Sequence, residues 1–285
     1  MTRIKDLLET GRTLSFEFFP PKNDEMERQL EKAVVELAEL QPSFVSVTYG
    51  ALGSSRERTR DAVTRINTEQ AFPAMPHLTC VGHTRDDIAE LLDHYAAKGI
   101  VNILALGGDP PADGSDPGGE YEHASELVAQ VREHPGDFSL GVAAHPEIHP
   151  RSPDRESDRR FLAAKLADAD FAMTQFFFNV DDYLRLVDEL HELDCDKPVL
   201  PGVMPIATVA GVRRMAGMNG SVIPDPLLER LLAADGQPEE VRKIGVETAT
   251  ELCAALLAED APGLHLYALN RSESVREVYA NLGLG

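Results

Sequence analysis

Eight short, apolar, β-prone runs alternate with longer segments of helical period along the whole chain, and no other feature narrows the fold as much. The runs are LSFEFF (14–19), FVSVTY (44–49), AMPHLTC (74–80), VNILAL (101–106), FSLGVAA (138–144), FAMTQFF (171–177), PVLPGV (198–203) and LHLYAL (264–269). Between the first two lies NDEMERQLEKAVVELAEL, whose Met26, Leu30, Ala33, Val34, Leu37 and Leu40 recur along one helix face. SSRE (54–57) has the form of a capping box, and TRDD (84–87) opens the next helix similarly. The seventh unit is longer: IPDPLLERLLAADG predicts an extra helix before the long EEVRKIGVETATELCAALLAE. No linker, repeat or low-complexity tract divides the chain, and the densest loop, GGDPPADGSDPGGEYEH, is too short to join two domains. Eight β/α units in 285 residues predict a single α/β domain over 1–285, a (β/α)8 TIM barrel. An open doubly wound sheet is the competing fold; it calls for a glycine-rich turn after the first strand, where FFPPK stands instead.

Barrels of this kind place their active sites at the C-terminal ends of the strands. Polar residues gather at those ends here: Glu17, Thr48, Tyr49, His77, Thr79, Asp109, His145, Gln175 and Asn270. One cleft at the mouth of the barrel accounts for all of them. Glu17 is the most telling, a lone carboxylate among Phe16, Phe18 and Phe19. Side chains alternate along a strand, so if Phe16 and Phe18 pack outward against helices, Glu17 points into the barrel mouth. Enclosure there disfavours the charged form, which makes Glu17 a candidate general acid near neutral pH. A surface glutamate in a misread strand is the bland alternative.

Acidic residues outnumber basic ones 48 to 27, a net charge of −21, which argues against binding to nucleic acid. Small anionic ligands remain open, since they need only a local basic or amide-lined pocket. Cys80, Cys195 and Cys253 are far apart and odd in number, which points to a reducing cytoplasm rather than a disulfide framework. MTRIKDLLETGR lacks the apolar stretch of a secretion signal, and proline and glycine interrupt the longest apolar runs, so no membrane span is expected.

Other motifs weaken on inspection. HLTCVGH sets His77, Cys80 and His83 at metal-like spacing, but the strand-end position favours cofactor contact, and no metal is expected. In HPEIH the proline after His145 spoils a helical metal pair with His149. No serine elbow supports a catalytic triad. The glycine-rich loop after the fourth strand lacks the Lys-Ser/Thr ending of a phosphate loop and reads better as a loop over the active site. A lyase or aldolase with Glu17 as base is weakened because no lysine stands at a strand end. A binder without turnover is a further alternative.

The motifs SFEFFPPK, FVSVTYGA, PHLTC, GDPP, AAHPEIHP, TQFFF and YALNR, in this order and at compatible spacing, resemble those of methylenetetrahydrofolate reductase in its short bacterial form. The resemblance covers almost the whole chain and implies a TIM barrel holding FAD. NADH or NADPH would reduce the flavin, which would then reduce 5,10-methylenetetrahydrofolate to 5-methyltetrahydrofolate by a ping-pong scheme, a step of one-carbon metabolism serving methionine biosynthesis. It implies Glu17 as the acid that protonates folate N10, and Asp109 as a charge that stabilises the cationic iminium. On the substrate side it places Gln175, Arg271 and Met215. For the cofactor it implies Thr48, His77, Gly108, Asp109, His123, Ala124, His145, His149, Asp158 and Lys165. Lys165 and His149 would meet the pyrophosphate, and Asp158 a ribose hydroxyl. Five positions depart from the family. Gly107 replaces an arginine, His145 an aromatic residue and His123 a tyrosine, while Phe161 and Ala164 stand where polar or basic residues are common. Weak FAD binding, or direct hydride transfer from the nicotinamide on the same barrel, is the corresponding alternative. The family's bacterial members are often homo-oligomers; the sequence leaves the oligomeric state open.

Overall fold

The computed structural model describes residues 2–49, 54–108, 116 and 118–284, with residues 54–56 described in their backbone alone. Asp109 therefore lies outside the described residues, as do parts of the loops after the second and fourth strand runs.

Among the described residues nine strands form, all paired in parallel. They are β1 (Thr13–Phe18), β2 (Phe44–Val47), β3 (Ala74–Thr79), β4 (Asn102–Leu106), β5 (Ser139–Ala144), β6 (Phe171–Thr174), β7 (Val199–Leu200), β8 (Gly202–Val203) and β9 (Gly263–Tyr267). Each of the eight predicted runs contains one strand, except PVLPGV, which contains two. Pro201 divides it, because proline has no N–H to give a ladder. The halves serve opposite neighbours. β7 pairs with β6 through Ala172↔Val199, and β8 pairs with β9 through Gly202↔His265, so the ring closes as eight staves. The order β7-β6-β5-β4-β3-β2-β1-β9-β8 is that of a single-domain (β/α)8 barrel.

The helices are α1 (Ile4–Thr10), α2 (Asp24–Ala38), α3 (Ser54–Glu69), α4 (Arg85–Ala97), α5 (Ala124–Glu133), α6 (Arg155–Asp168), α7 (Val180–His191), α8 (Val209–Asn219), α9 (Asp225–Ala233), α10 (Pro238–Ala258) and α11 (Glu273–Asn281). The extra helix expected in the seventh unit is α9. On α2 the predicted face is buried at Leu30, Ala33, Val34 and Leu37. Thr84 and Asp87 form the capping box expected at the start of α4. No described helix is long and apolar enough to cross a membrane.

Strand alternation sorts the core into layers. Phe16, Phe18, Val45 and Val47 face outward and pack against helices in the main cluster. Phe44, Met75, Leu104, Phe171, Met173 and Leu200 fill the lower barrel together with Ile4. Helix α1 stoppers that end: the Ile4 and Lys5 N–H groups donate to Asn102 and Ser139, the first residues of β4 and β5. Above this apolar floor the inward side chains turn polar.

Candidate active site

Glu17 sits one residue before the end of β1 and is 3% exposed. Its inward direction follows from the outward packing of Phe16 and Phe18, as the alternation requires. His265 of β9, itself 0% exposed, approaches it, with Nε2 at 3.2 Å from Glu17 Oε2. His77 Nε2 of β3 stands 3.5 Å from the same oxygen and makes no hydrogen bond. Ser15 Oγ lies 2.8 Å from His265 Nδ1 and donates to the Leu264 carbonyl at 3.2 Å, while Ser46 Oγ lies 3.4 Å from His265 Nε2. Burial pushes the His77 pKa down, so His77 stays neutral at neutral pH. Burial, with Glu17 nearby, holds the Tyr267 phenol well above its usual range, and its hydroxyl donates to the Thr174 carbonyl at 3.1 Å. No lysine or arginine pairs with Glu17 among the described residues. The site's centre is thus a buried carboxyl with two imidazoles beside it.

A second group of expected residues converges on β5 and α6. The His145 and His149 rings meet edge to face at 4.5 Å. The His145 pKa falls to about 3, first through burial, then through His149. Asp158 is buried, with Oδ1 accepting from Ser152 Oγ at 2.7 Å and from the His149 N–H at 3.3 Å, and Oδ2 accepting from Arg159 at 2.6 Å. Lys165 turns inward and donates to the Ala143 carbonyl at 3.4 Å; burial lowers its pKa and Asp158 raises it. Arg159 staples the whole loop. It is 2% exposed and donates to the His145, Pro146 and Glu147 carbonyls and to Glu189.

The remaining expected residues spread around the mouth. Gly108 adopts φ +83°, where an added Cβ would stand 2.5 Å from Val81, so glycine is required. Its carbonyl accepts from Arg151, whose guanidinium lies over Gly107, 3.7 Å from where a Cβ there would be. The Thr48 N–H continues the ladder to Phe18. Gln175 Oε1 accepts from Asn219 of α8 at 3.1 Å, and Met215 on the same helix packs against the apolar cluster that includes Phe176 and Tyr267. His123 and Ala124 open α5, with the His123 ring exposed, and Arg271 is exposed beyond β9. Glu17 with His77 form one group, and His145, His149, Asp158 and Lys165 another; Arg271 and His123 join neither.

Sequence reasoning missed His265, Arg151 and Arg159. The first was findable: His265 and Tyr267 alternate inward on β9 just as Ser15 and Glu17 do on β1. Arg159 shares a helical face with Leu162 and Leu166, which marks it as buried. Arg151 carries no such signal, since loop geometry alone brings it over Gly107.

The residues that the resemblance implies for FAD are partly engaged by the protein itself. Asp158 Oδ1 already accepts from Ser152 Oγ and the His149 N–H and Oδ2 from Arg159, so one lone pair, on Oδ2, is left for a ribose hydroxyl. Lys165 points to the backbone rather than to a pyrophosphate. Between them α6 presents Phe161, 60% exposed, and Gly107 offers no side chain.

The sequence profile of methylenetetrahydrofolate reductase matches residues 3–283. The 5,10-methylenetetrahydrofolate reductases of Escherichia coli K12 and Pectobacterium carotovorum are each 35% identical over 272 residues, spanning 95% of this chain and 90% of theirs. The Arabidopsis thaliana methylenetetrahydrofolate reductase (NADH) 1 is 36% identical over 298 residues, 99% of this chain and 50% of its own length. Among solved structures, a Clostridium thermocellum protein that binds two copies of 5-methyl-5,6,7,8-tetrahydrofolic acid shares the fold, with a TM-score of 0.66, 13% identity and coverage of 98% and 97%. With a profile match over nearly its whole length and relatives of equal extent, the chain belongs to the methylenetetrahydrofolate reductase family of oxidoreductases.

Proposed function

We propose that the chain reduces 5,10-methylenetetrahydrofolate to 5-methyltetrahydrofolate with a hydride from NADH or NADPH, and that Glu17 is its general acid. The observation that carries this reading is the buried Glu17 carboxyl, held against His265 at 3.2 Å with no cation beside it among the described residues. A general acid works from its protonated form. Its proton goes to N10 of the bound folate as the C–N10 bond breaks, leaving an iminium at N5. The hydride then adds to the methylene carbon. Gln175, which accepts from Asn219, would hold the pterin, and Met215 would stand on the substrate side; the exposed Arg271 would pair with a folate carboxylate. Asp109 takes the role of a charge near the iminium.

The resemblance implies FAD as a relay, which would accept hydride from the nicotinamide cofactor. The engagement of Asp158 and Lys165 by the protein itself favours a second reading, direct transfer from the nicotinamide to folate. One experiment separates the two. Purified protein is incubated with FAD, gel-filtered and examined by visible spectroscopy, then assayed for 5-methyltetrahydrofolate formation from NADH or NADPH. Turnover by colourless protein supports direct transfer. Retained flavin bands that bleach with the reductant and return with methylenetetrahydrofolate support the relay. No product under either condition overturns the reductase assignment.

A further inference from the structure

The hydrogen-bond order around His265 fixes where protons can be. Ser15 has a single hydroxyl proton, and the Leu264 carbonyl, 3.2 Å away, can only accept it. Both Ser15 contacts are then satisfied only if His265 Nδ1–H donates to Ser15 Oγ, at 2.8 Å. Nδ1 is therefore protonated, and Nε2, 3.2 Å from Glu17 Oε2, carries either a lone pair facing a Glu17 O–H or a second proton facing the carboxylate. A lone pair facing a carboxylate would be repulsive, so one proton must lie between them.

We propose that His265 is the positioning residue of Glu17: it holds the resting carboxyl in its protonated form, Glu17 O–H donating to His265 Nε2, so that the acid meets folate already loaded. The inference rests on the proposed reaction for its use, but not for its geometry.

The groups facing the pair, element by element, agree with a neutral arrangement. From β3, His77 is uncharged at neutral pH and brings no cation to stabilise a carboxylate. From β2, Ser46 is a hydroxyl. From β9, Tyr267 keeps its proton and gives it to Thr174. The alternative, an imidazolium–carboxylate pair, would bury two charges in a place where Glu17 is 3% and His265 0% exposed, which is costly without further polar support. In turnover the proton leaves Oε2 for folate N10, His265 stays neutral throughout, and water entering after product release returns a proton to the carboxylate.

Two measurements test this. The first is infrared spectroscopy of the substrate-free protein at neutral pH. The carboxylic-acid carbonyl band, identified by its loss in Glu17→Gln, should be present in the wild type and weakened or absent in His265→Asn. The second is the pH profile of folate reduction. Activity needs the protonated acid, so it falls as pH rises. In His265→Asn the fall should come at lower pH, with kcat reduced about tenfold or more at pH 7 and the folate KM nearly unchanged. No Glu17 acid band in the wild type would overturn the proposal. So would a band and pH profile left unchanged in His265→Asn. Because the infrared arm involves no substrate, a protein that shows the band yet reduces no folate would overturn the proposed function and leave this inference standing.

Discussion

Glu17 is buried on its strand, and in the proposed function the same position carries the chemistry. Phe16 and Phe18 anchor the strand outward, and the alternation leaves the carboxyl no outward route. Glu17→Gln keeps the shape and removes the proton donor. Methylenetetrahydrofolate reduction should fall by about 10²–10⁴ with little change in thermal stability, read by product formation and by melting. A variant retaining more than a tenth of wild-type turnover would remove Glu17 from the acid role. His145 gives a prediction for stability. Its pKa drops from 6.5 to about 3 on folding, so between those values the unfolded chain holds the extra proton. Its contribution is complete above about pH 6.5 and drains away as pH falls toward 3, amounting to roughly a few kcal/mol in all. In urea melts across that window, His145→Gln should flatten the acid-side loss of stability relative to the wild type.

At the scale of elements, single residues hold whole segments in place. The β5–α6 connection, which carries His145 and His149, is fastened by the Arg159 guanidinium to three of its own carbonyls and to Asp158 and Glu189. Arg159→Met should cost about 3–5 kcal/mol in urea denaturation, because those buried acceptors lose their donor and Asp158 becomes an uncompensated buried charge. A loss under about 1 kcal/mol would mean the loop is held by other contacts. Helix α10 comes so close to the loop after β8 that a Cβ at Gly245 would stand 2.1 Å from the Ile206 carbonyl. Gly245→Ala must push the helix away and should destabilise by about 1–3 kcal/mol, measured in the same way. Pro201 acts at this scale too, since the missing N–H splits one stave while leaving each half bonded to its own neighbour.

Across the whole molecule, the net charge of −21 sits on a surface whose many ion pairs are exposed and individually worth little. Self-repulsion then opposes compaction, and salt should relieve it. The melting temperature is expected to rise when NaCl is raised from low concentration to about 0.15 M, where the screening length is about 8 Å. A melting point that is flat or falling over that range would mean the exposed pairs outweigh the repulsion. The same acidity leaves basic groups such as Arg151 and Arg271 conspicuous at the mouth, where the proposed anionic substrates would enter.

The barrel was legible in the chain because local physics sets it. Strand alternation, helical period and caps are short-range patterns, and eight of them in series leave few ways to bury their apolar faces. For the same reason the inward turn of Glu17 could be read from its phenylalanine neighbours. The proton partner could not be read with equal ease, since His265 lies 248 positions away and meets Glu17 only because β9 closes beside β1. Nor could the sequence tell that Asp158 and Lys165 would spend their polar atoms on the protein itself. That depends on how the β5–α6 loop folds around Arg159, a matter of side chains meeting in space. Periodicity along the chain determined the architecture; which donors face which acceptors inside it was decided only when the ring closed.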